Sequence, residues 1–145
     1  MQKQQGFSLI ELLVVIGIIG ALTAIAIPQY QKYQDKAKVT AAIATLTNMR
    51  SVVEAHIMEK GEFPEKAKDV EDEELGIPEG ITLAKTKEVA GTMTIAVKGF
   101  PGGDDQVELT RGESGGWACT QPSDTIEVNG CEYKDGNAGS DTNNG

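Results

Sequence analysis

Residues 12–31 form a run of twenty positions without a charged side chain, directly after a glutamate at position 11. Wound as an α-helix at about 1.5 Å per residue, such a run covers roughly 30 Å, the thickness of a bilayer's hydrocarbon core. It is rich in Leu, Ile and Val on every side, so it predicts a membrane-competent helix rather than the one-sided helix of a soluble core. Glu11 stands out against this. A carboxylate at the edge of an apolar helix is unfavourable, and a simple anchor would carry leucine there.

Ser8-Leu9-Ile10-Glu11 matches a capping box, in which the serine hydroxyl and the glutamate carboxylate satisfy backbone amides at a helix start. That gives Glu11 a local role at the positive end of the helix dipole. The polar stretch 1–6 carries one charge, Lys3, and precedes the run as the n-region of an export signal would. Signal-peptide cleavage chemistry does not follow. Ala24-Ile25-Ala26 is succeeded by Ile27 with the helical pattern intact, so the apolar run is expected to be kept and only the polar piece removed. Gly17, Gly20 and Pro28 punctuate the run. Proline lacks a donor and crowds the carbonyl four residues back, which predicts a kink or a locally extended stretch between Gly20 and Pro28.

Past Pro28 the pattern becomes amphipathic. Val39, Ile43, Leu46, Met49, Val53 and Ile57 recur at three- and four-residue steps, with Lys36, Lys38, Thr40, Thr47, Arg50 and Glu54 mostly on other faces. Gly61 and Pro64 end the helix. Residues 61–80 read as a connecting loop with an acidic run from Asp69 to Glu74, which is expected to be solvated. Four strands follow: residues 81–84, 92–97, 106–110 and 116–120. The turn Gly99-Phe100-Pro101-Gly102-Gly103-Asp104-Asp105 makes the second and third a hairpin and the sheet antiparallel. One apolar face of that sheet can cover the stripe from Val39 to Ile57. The last ten residues, 136–145, contain no large apolar side chain and predict a mobile tail.

The chain's 145 residues leave room for a single modest head after the apolar run. With 17 glycines and 5% aromatic residues its core is small, and a cross-link would help it. Cys119 and Cys131, an even pair beside an export-like N-terminus, predict a disulfide in an oxidising compartment. Closing a loop of that size stabilises a fold by about 3 kcal/mol on the chain-entropy argument. The balance of 22 acidic against 13 basic residues argues against an extended phosphate-binding track.

Gly6-Phe7-Ser8-Leu9-Ile10-Glu11-Leu12, the Gly17, Gly20 and Pro28 breaks, the continuation Ala26-Ile27-Pro28-Gln29-Tyr30-Gln31-Lys32-Tyr33 and the C-terminal cysteine pair together resemble the type IV pilins, in particular the type IVa major pilins of Gram-negative bacteria. The match is dense over residues 6–33 and architectural beyond. The resemblance implies an α+β fold: a long N-terminal α-helix, its apolar half protruding and its amphipathic half packed against a small antiparallel sheet with a disulfide-closed loop. It divides the chain into a leader (1–6), an apolar helix (7–28), an amphipathic helix (29–60), a connecting loop (61–80), sheet and disulfide loop (81–135) and tail (136–145).

The resemblance further implies that prepilin peptidase cuts between Gly6 and Phe7 and that the new amine of Phe7 is N-methylated. Glu11 then pairs with the Phe7 amine of a neighbouring subunit, and the segment from Gly20 to Pro28, whose backbone is the least committed to helix, is expected to lose helix as subunits stack, with Gly17, Gly20 and Pro28 as the helix-breaking positions. The expected partners are further copies of the chain, the peptidase, an inner-membrane assembly platform and, before assembly, the membrane. The product is a surface filament for adhesion, twitching motility or DNA uptake, with no cofactor, metal or catalysis. Lys32, Lys36 and Lys38 outnumber Lys3, which on loop charge alone would reverse the orientation. The leader motif takes precedence over that count.

Three other classes share parts of this pattern. A type II secretion pseudopilin has the same leader and helix but typically uses a calcium site in place of the disulfide, for which Asp104 and Asp105 are the candidates. The cysteine pair favours a pilin. A membrane-anchored enzyme lacks a constellation, since the single histidine, His56, sits alone on the amphipathic helix. A minor pilin capturing DNA would need a local patch such as Lys85, Lys87 and Lys98.

Overall fold

The computed structural model describes residues 6–66, 75–100 and 105–134. The chain divides into two compact units, Met1–Asp35 and Lys36–Gly145. Helix α1, Leu9–Lys60, supplies all the regular structure of the first and enters the second as its only described helix.

In the first unit the helix runs without interruption, so of the kink or locally extended stretch expected between Gly20 and Pro28 the extended form is absent from the single chain. Pro28 removes only one backbone donor, while Ala21, Leu22, Ala24 and Ala26 around it favour helix. Thr23, the only polar side chain from 12 to 27, returns its hydroxyl to the Ile19 carbonyl at 2.6 Å. In that position a hydroxyl needs no external partner.

In the second unit the expected stripe is buried. Val39, Leu46 and Val53 are fully enclosed, Ala42 and Ile57 nearly so, and Ile43, Met49 and Val52 pack at the margin. Strands β1 (Ile81–Lys85), β2 (Gly91–Ala96), β3 (Gln106–Arg111) and β4 (Trp117–Gln121) form an antiparallel meander in that order. All four fall within a residue or so of their predicted positions. The register lines up Leu83, Met93, Leu109 and Cys119 across the sheet, and the first three of these are buried. That row, with Ile81 and Val107, is the sheet's contribution to the core containing the helix stripe. A two-residue strand, β5 (Glu132–Tyr133), was not expected; it pairs with β4 in parallel, so the sheet ends in one parallel step.

Phe63 closes one end of the core. Its amide donates to the Glu88 carbonyl at 2.7 Å, and its ring lies where a Cβ on Gly91 would stand, 2.4 Å from the ring's Cδ1. Only glycine fits there. The outer edge of β1 is met by Lys66, whose backbone exchanges both hydrogen bonds with Leu83. The acidic run 69–74, most of the turn 99–105 and the tail 136–145 lie outside the described residues.

Candidate functional site

The N-terminal motif folds as the capping box its sequence spells. The Ser8 amide donates to Glu11 Oε2 at 3.0 Å, the Glu11 amide donates to Ser8 Oγ at 3.3 Å, and the Leu12 amide closes the first turn on the Ser8 carbonyl at 3.2 Å. The Glu11 carboxylate is thereby turned back toward the chain start, one residue from Phe7, which is 84% exposed. The positive end of the helix dipole favours a carboxylate held here, and the carboxylate itself is the group that can attract a positive charge. Gly6 lies in irregular backbone just before, while Gly17, Gly20 and Pro28 are all helical.

Behind the cap lies an uncovered apolar surface. The large side chains from Leu9 to Ile27 are between 52% and 76% exposed within the chain. A patch of this extent is far beyond what a soluble monomer shows and marks a surface that meets lipid or protein. The helix passes the length and composition requirements for a membrane span.

In the second unit the chemistry-bearing groups are engaged in holding the fold. Cys119 and Cys131 form the expected disulfide. Within the loop it closes, Gln121 is buried; its amide nitrogen donates to the Ser123 and Ile126 carbonyls, each at 2.7 Å, and its Oε1 accepts from the Ser123 amide at 2.9 Å. The Lys134 amide donates to the Gln121 carbonyl and its Nζ to Glu108, each at 3.0 Å, which fastens the strand end on the far side.

Glu54, by its sequence position one of the outward polar residues of the helix, is instead the acceptor at the centre of a cluster. Arg111 Nε and Nη2 donate to its two oxygens at 2.7 and 3.1 Å, and Trp117 Nε1 donates at 2.8 Å. Arg111 is nearly buried and also donates to the Val89 carbonyl at 2.6 Å. Arg50 lies over the Trp117 ring, 5.4 Å from its centre. The guanidinium hydrogen bond holds the Glu54 carboxyl below its ordinary range, against the opposing effect of partial burial, with the indole N–H helping. Little in the local sequence signals this, because the partners are 57 and 63 positions away. The available clue is the one tryptophan directly across the sheet from an arginine inside an apolar-alternating strand.

The groups proposed for other chemistries are differently disposed. Lys85 donates to Glu62 at 2.7 Å and Lys87 to Glu113 at 2.8 Å, so two of the three lysines named for nucleic acid are paired with acids. The Asp105 carboxylate accepts from the Phe100 amide at 3.2 Å, a turn-closing role, and its neighbour Asp104 lies outside the described residues. His56 is half-buried at the edge of a shallow recess of about 230 Å³ whose walls include the Glu62 and Lys85 pair. No cluster of three metal-ligating side chains occurs among the described residues.

Comparison with known proteins agrees with this geometry. Residues 36–135 match the family of pilins, described as bacterial filament proteins, and residues 1–27 match the prokaryotic N-terminal methylation motif. A fimbrial protein of Pseudomonas aeruginosa is 36% identical over 118 residues, covering 81% of this chain and 75% of the relative. Over shorter matched stretches the identity rises. Prepilin peptidase-dependent protein D of Escherichia coli is 52% identical over 61 residues, 42% of each chain, and a type IV major pilin of Neisseria gonorrhoeae is 44% identical over 62 residues, 43% of this chain and 38% of its own. The filament-family match spans the folded head, and the methylation motif spans the Ser8 to Glu11 cap with the apolar run behind it. The chain belongs to the pilin family.

Proposed function

We propose that this chain is the major structural subunit of a type IV pilus, built into an extracellular filament through its N-terminal helix. The observation that carries the reading is the uncovered apolar surface of residues 9–27 in a chain that also has a disulfide-closed head, whose residues 1–27 match the methylation motif and residues 36–135 the pilin family.

The proposed sequence of events starts in the inner membrane, with the helix spanning the bilayer. Prepilin peptidase removes residues 1–6, which frees the Phe7 amine for methylation. The new positive charge arises beside a carboxylate already turned toward it, and an opposite charge is what makes an acid tolerable in apolar surroundings. An assembly platform then moves the subunit from lipid into the filament base. Within lipid the helices gain little from apolar burial as such, so close packing and the pairing of Phe7 with a neighbour's Glu11 set the register. Once the filament is in water the same apolar faces hold it together, at about 25 cal/mol per Å² removed from solvent. Gly17, Gly20 and Pro28 are the positions where helix is given up if stacking requires it, because glycine and proline are the residues least committed to helix.

Mass spectrometry of the exported protein tests the processing. The expected species begins at Phe7 and carries one added methyl; a species beginning after Ala26, or intact fibres still starting at Met1, rules the scheme out. Glu11→Ala tests the pairing, with loss of filaments expected. Filaments in normal amount, with only a modest loss of helix stability, would leave Glu11 as a cap alone.

A further inference from the structure

The apolar run ends in a group that the assembly scheme does not use. Tyr30 and Tyr33 are 65% and 74% exposed within the chain, three residues apart on α1, and exposed Lys32, the first charge after Glu11, lies between them. Their place along the helix is fixed by length. With Glu11 at one boundary of the hydrocarbon, the charge-free residues 12–31 cross about 30 Å, and the other boundary falls at Tyr30 to Tyr33.

Tyrosine favours that depth because its ring is apolar and its hydroxyl seeks water, and a lysine there reaches headgroups with its ammonium while its stem stays among the rings. Lys36 and Lys38 follow, with Asp35 before them, so residues 30–38 hold three lysines against one acid in a chain whose formal net charge is −9. A positive segment in an acidic protein, placed at headgroup level by the span before it, is complementary to anionic lipid. The same lysines oppose the expected orientation if they are counted as loop charge alone. As interfacial groups they have a partner on their own side of the membrane.

Resting on the membrane-spanning precursor of the proposed function, we propose that Tyr30, Lys32 and Tyr33 form a headgroup collar that binds anionic phospholipid at the outer boundary of the bilayer and seats the subunit at a fixed depth until assembly. The collar must leave its lipids when the helix enters a filament, so anionic lipid holds the unassembled subunit back.

The test uses the full chain in phosphatidylcholine vesicles with and without phosphatidylglycerol. Tryptophan is placed singly at Leu22, Tyr30 or Tyr33, and the native Trp117 serves as baseline. Lipids brominated near the chain end are expected to quench Leu22→Trp most, and lipids brominated near the headgroup to quench Tyr30→Trp and Tyr33→Trp most. Energy transfer from Tyr33→Trp to labelled phosphatidylglycerol, relative to labelled phosphatidylcholine, is expected to show a preference that falls about fivefold on adding Lys32→Gln, the change of about 1 kcal/mol assigned to one lysine at an anionic surface.

Loss of deep quenching at Leu22→Trp refutes the spanning precursor itself. Deep quenching at Leu22→Trp with no quenching of Tyr33→Trp by lipids brominated near the headgroup overturns the collar alone. Equal transfer to both lipids, unchanged by Lys32→Gln, also overturns it. So does a Tyr33→Trp signal shielded from aqueous quencher only as protein concentration rises, since that assigns the group to a second copy of the chain.

Discussion

Removing the Glu54 carboxylate should unfasten the helix from the far side of the sheet. Glu54→Ala deletes two charge-assisted hydrogen bonds from Arg111 and one from the Trp117 indole. It leaves a guanidinium whose side chain is only 10% exposed with carbonyl partners but no counter-charge. Stripping one partner from a fully buried pair destabilises by about 3–5 kcal/mol. The Glu54 side chain is 36% exposed, so water can enter where it stood and the expected loss is smaller, about 2–3 kcal/mol. For a folded unit of this size that lowers Tm by roughly 10–20 °C.

The assay is thermal unfolding of the full chain in detergent, followed by near-ultraviolet circular dichroism of Trp117, the only tryptophan. Because the Arg111 hydrogen bond depresses the Glu54 carboxyl in the folded state, its contribution is present above the ordinary glutamate pKa of about 4.3. It disappears as pH falls through the lower folded value. Wild-type protein should therefore lose stability below about pH 4 more steeply than Glu54→Gln. A Tm shift of Glu54→Ala within about 2 °C, or identical acid slopes for the two proteins, would refute the idea that this cluster fastens helix to sheet.

Three other outcomes are expected from the packing. Gly91→Ala places a methyl 2.4 Å from the Phe63 ring and 2.6 Å from the Ala84 carbonyl, and should lower the urea midpoint by an amount equivalent to about 1–3 kcal/mol. Gln121→Ala removes two donors and an acceptor from buried backbone groups and should cost about 1–3 kcal/mol; hydrogen exchange at the Ser123 amide should accelerate before that of β2 does. Reducing the Cys119–Cys131 disulfide should destabilise the head by about 3 kcal/mol, seen as a lower denaturant midpoint in the presence of reductant.

Local repetition made parts of the fold legible ahead of the structure. The stripe from Val39 to Ile57 and the alternation in β1 to β4 are imposed by the geometry of a helix and of a strand, so burial followed them closely. The Ser8 and Glu11 cap lies within four residues and formed as its sequence implies. Contacts between distant positions were not legible. Glu54 looked solvated because nothing near it in sequence reveals Arg111 or Trp117, and β5 consists of the exposed pair Glu132 and Tyr133, with no apolar alternation to announce it. At Pro28 the proline rule allowed a kink or an extended stretch, and the extended form does not occur in the single chain, where the alanines and leucine before the proline favour helix.

The two margins of the sheet bear on how copies of the chain can meet. On one, Lys66 takes up the outward backbone groups of Leu83; on the other, the last strand is two residues long, and the disulfide and Lys134 pin the chain beside it. An open sheet margin is a template for the next chain's strand, and a protein that exists at filament density would meet that template constantly. With so little bare strand to offer, these heads are poorly suited to zipping into amyloid-like stacks, and ordered growth is left to the helices.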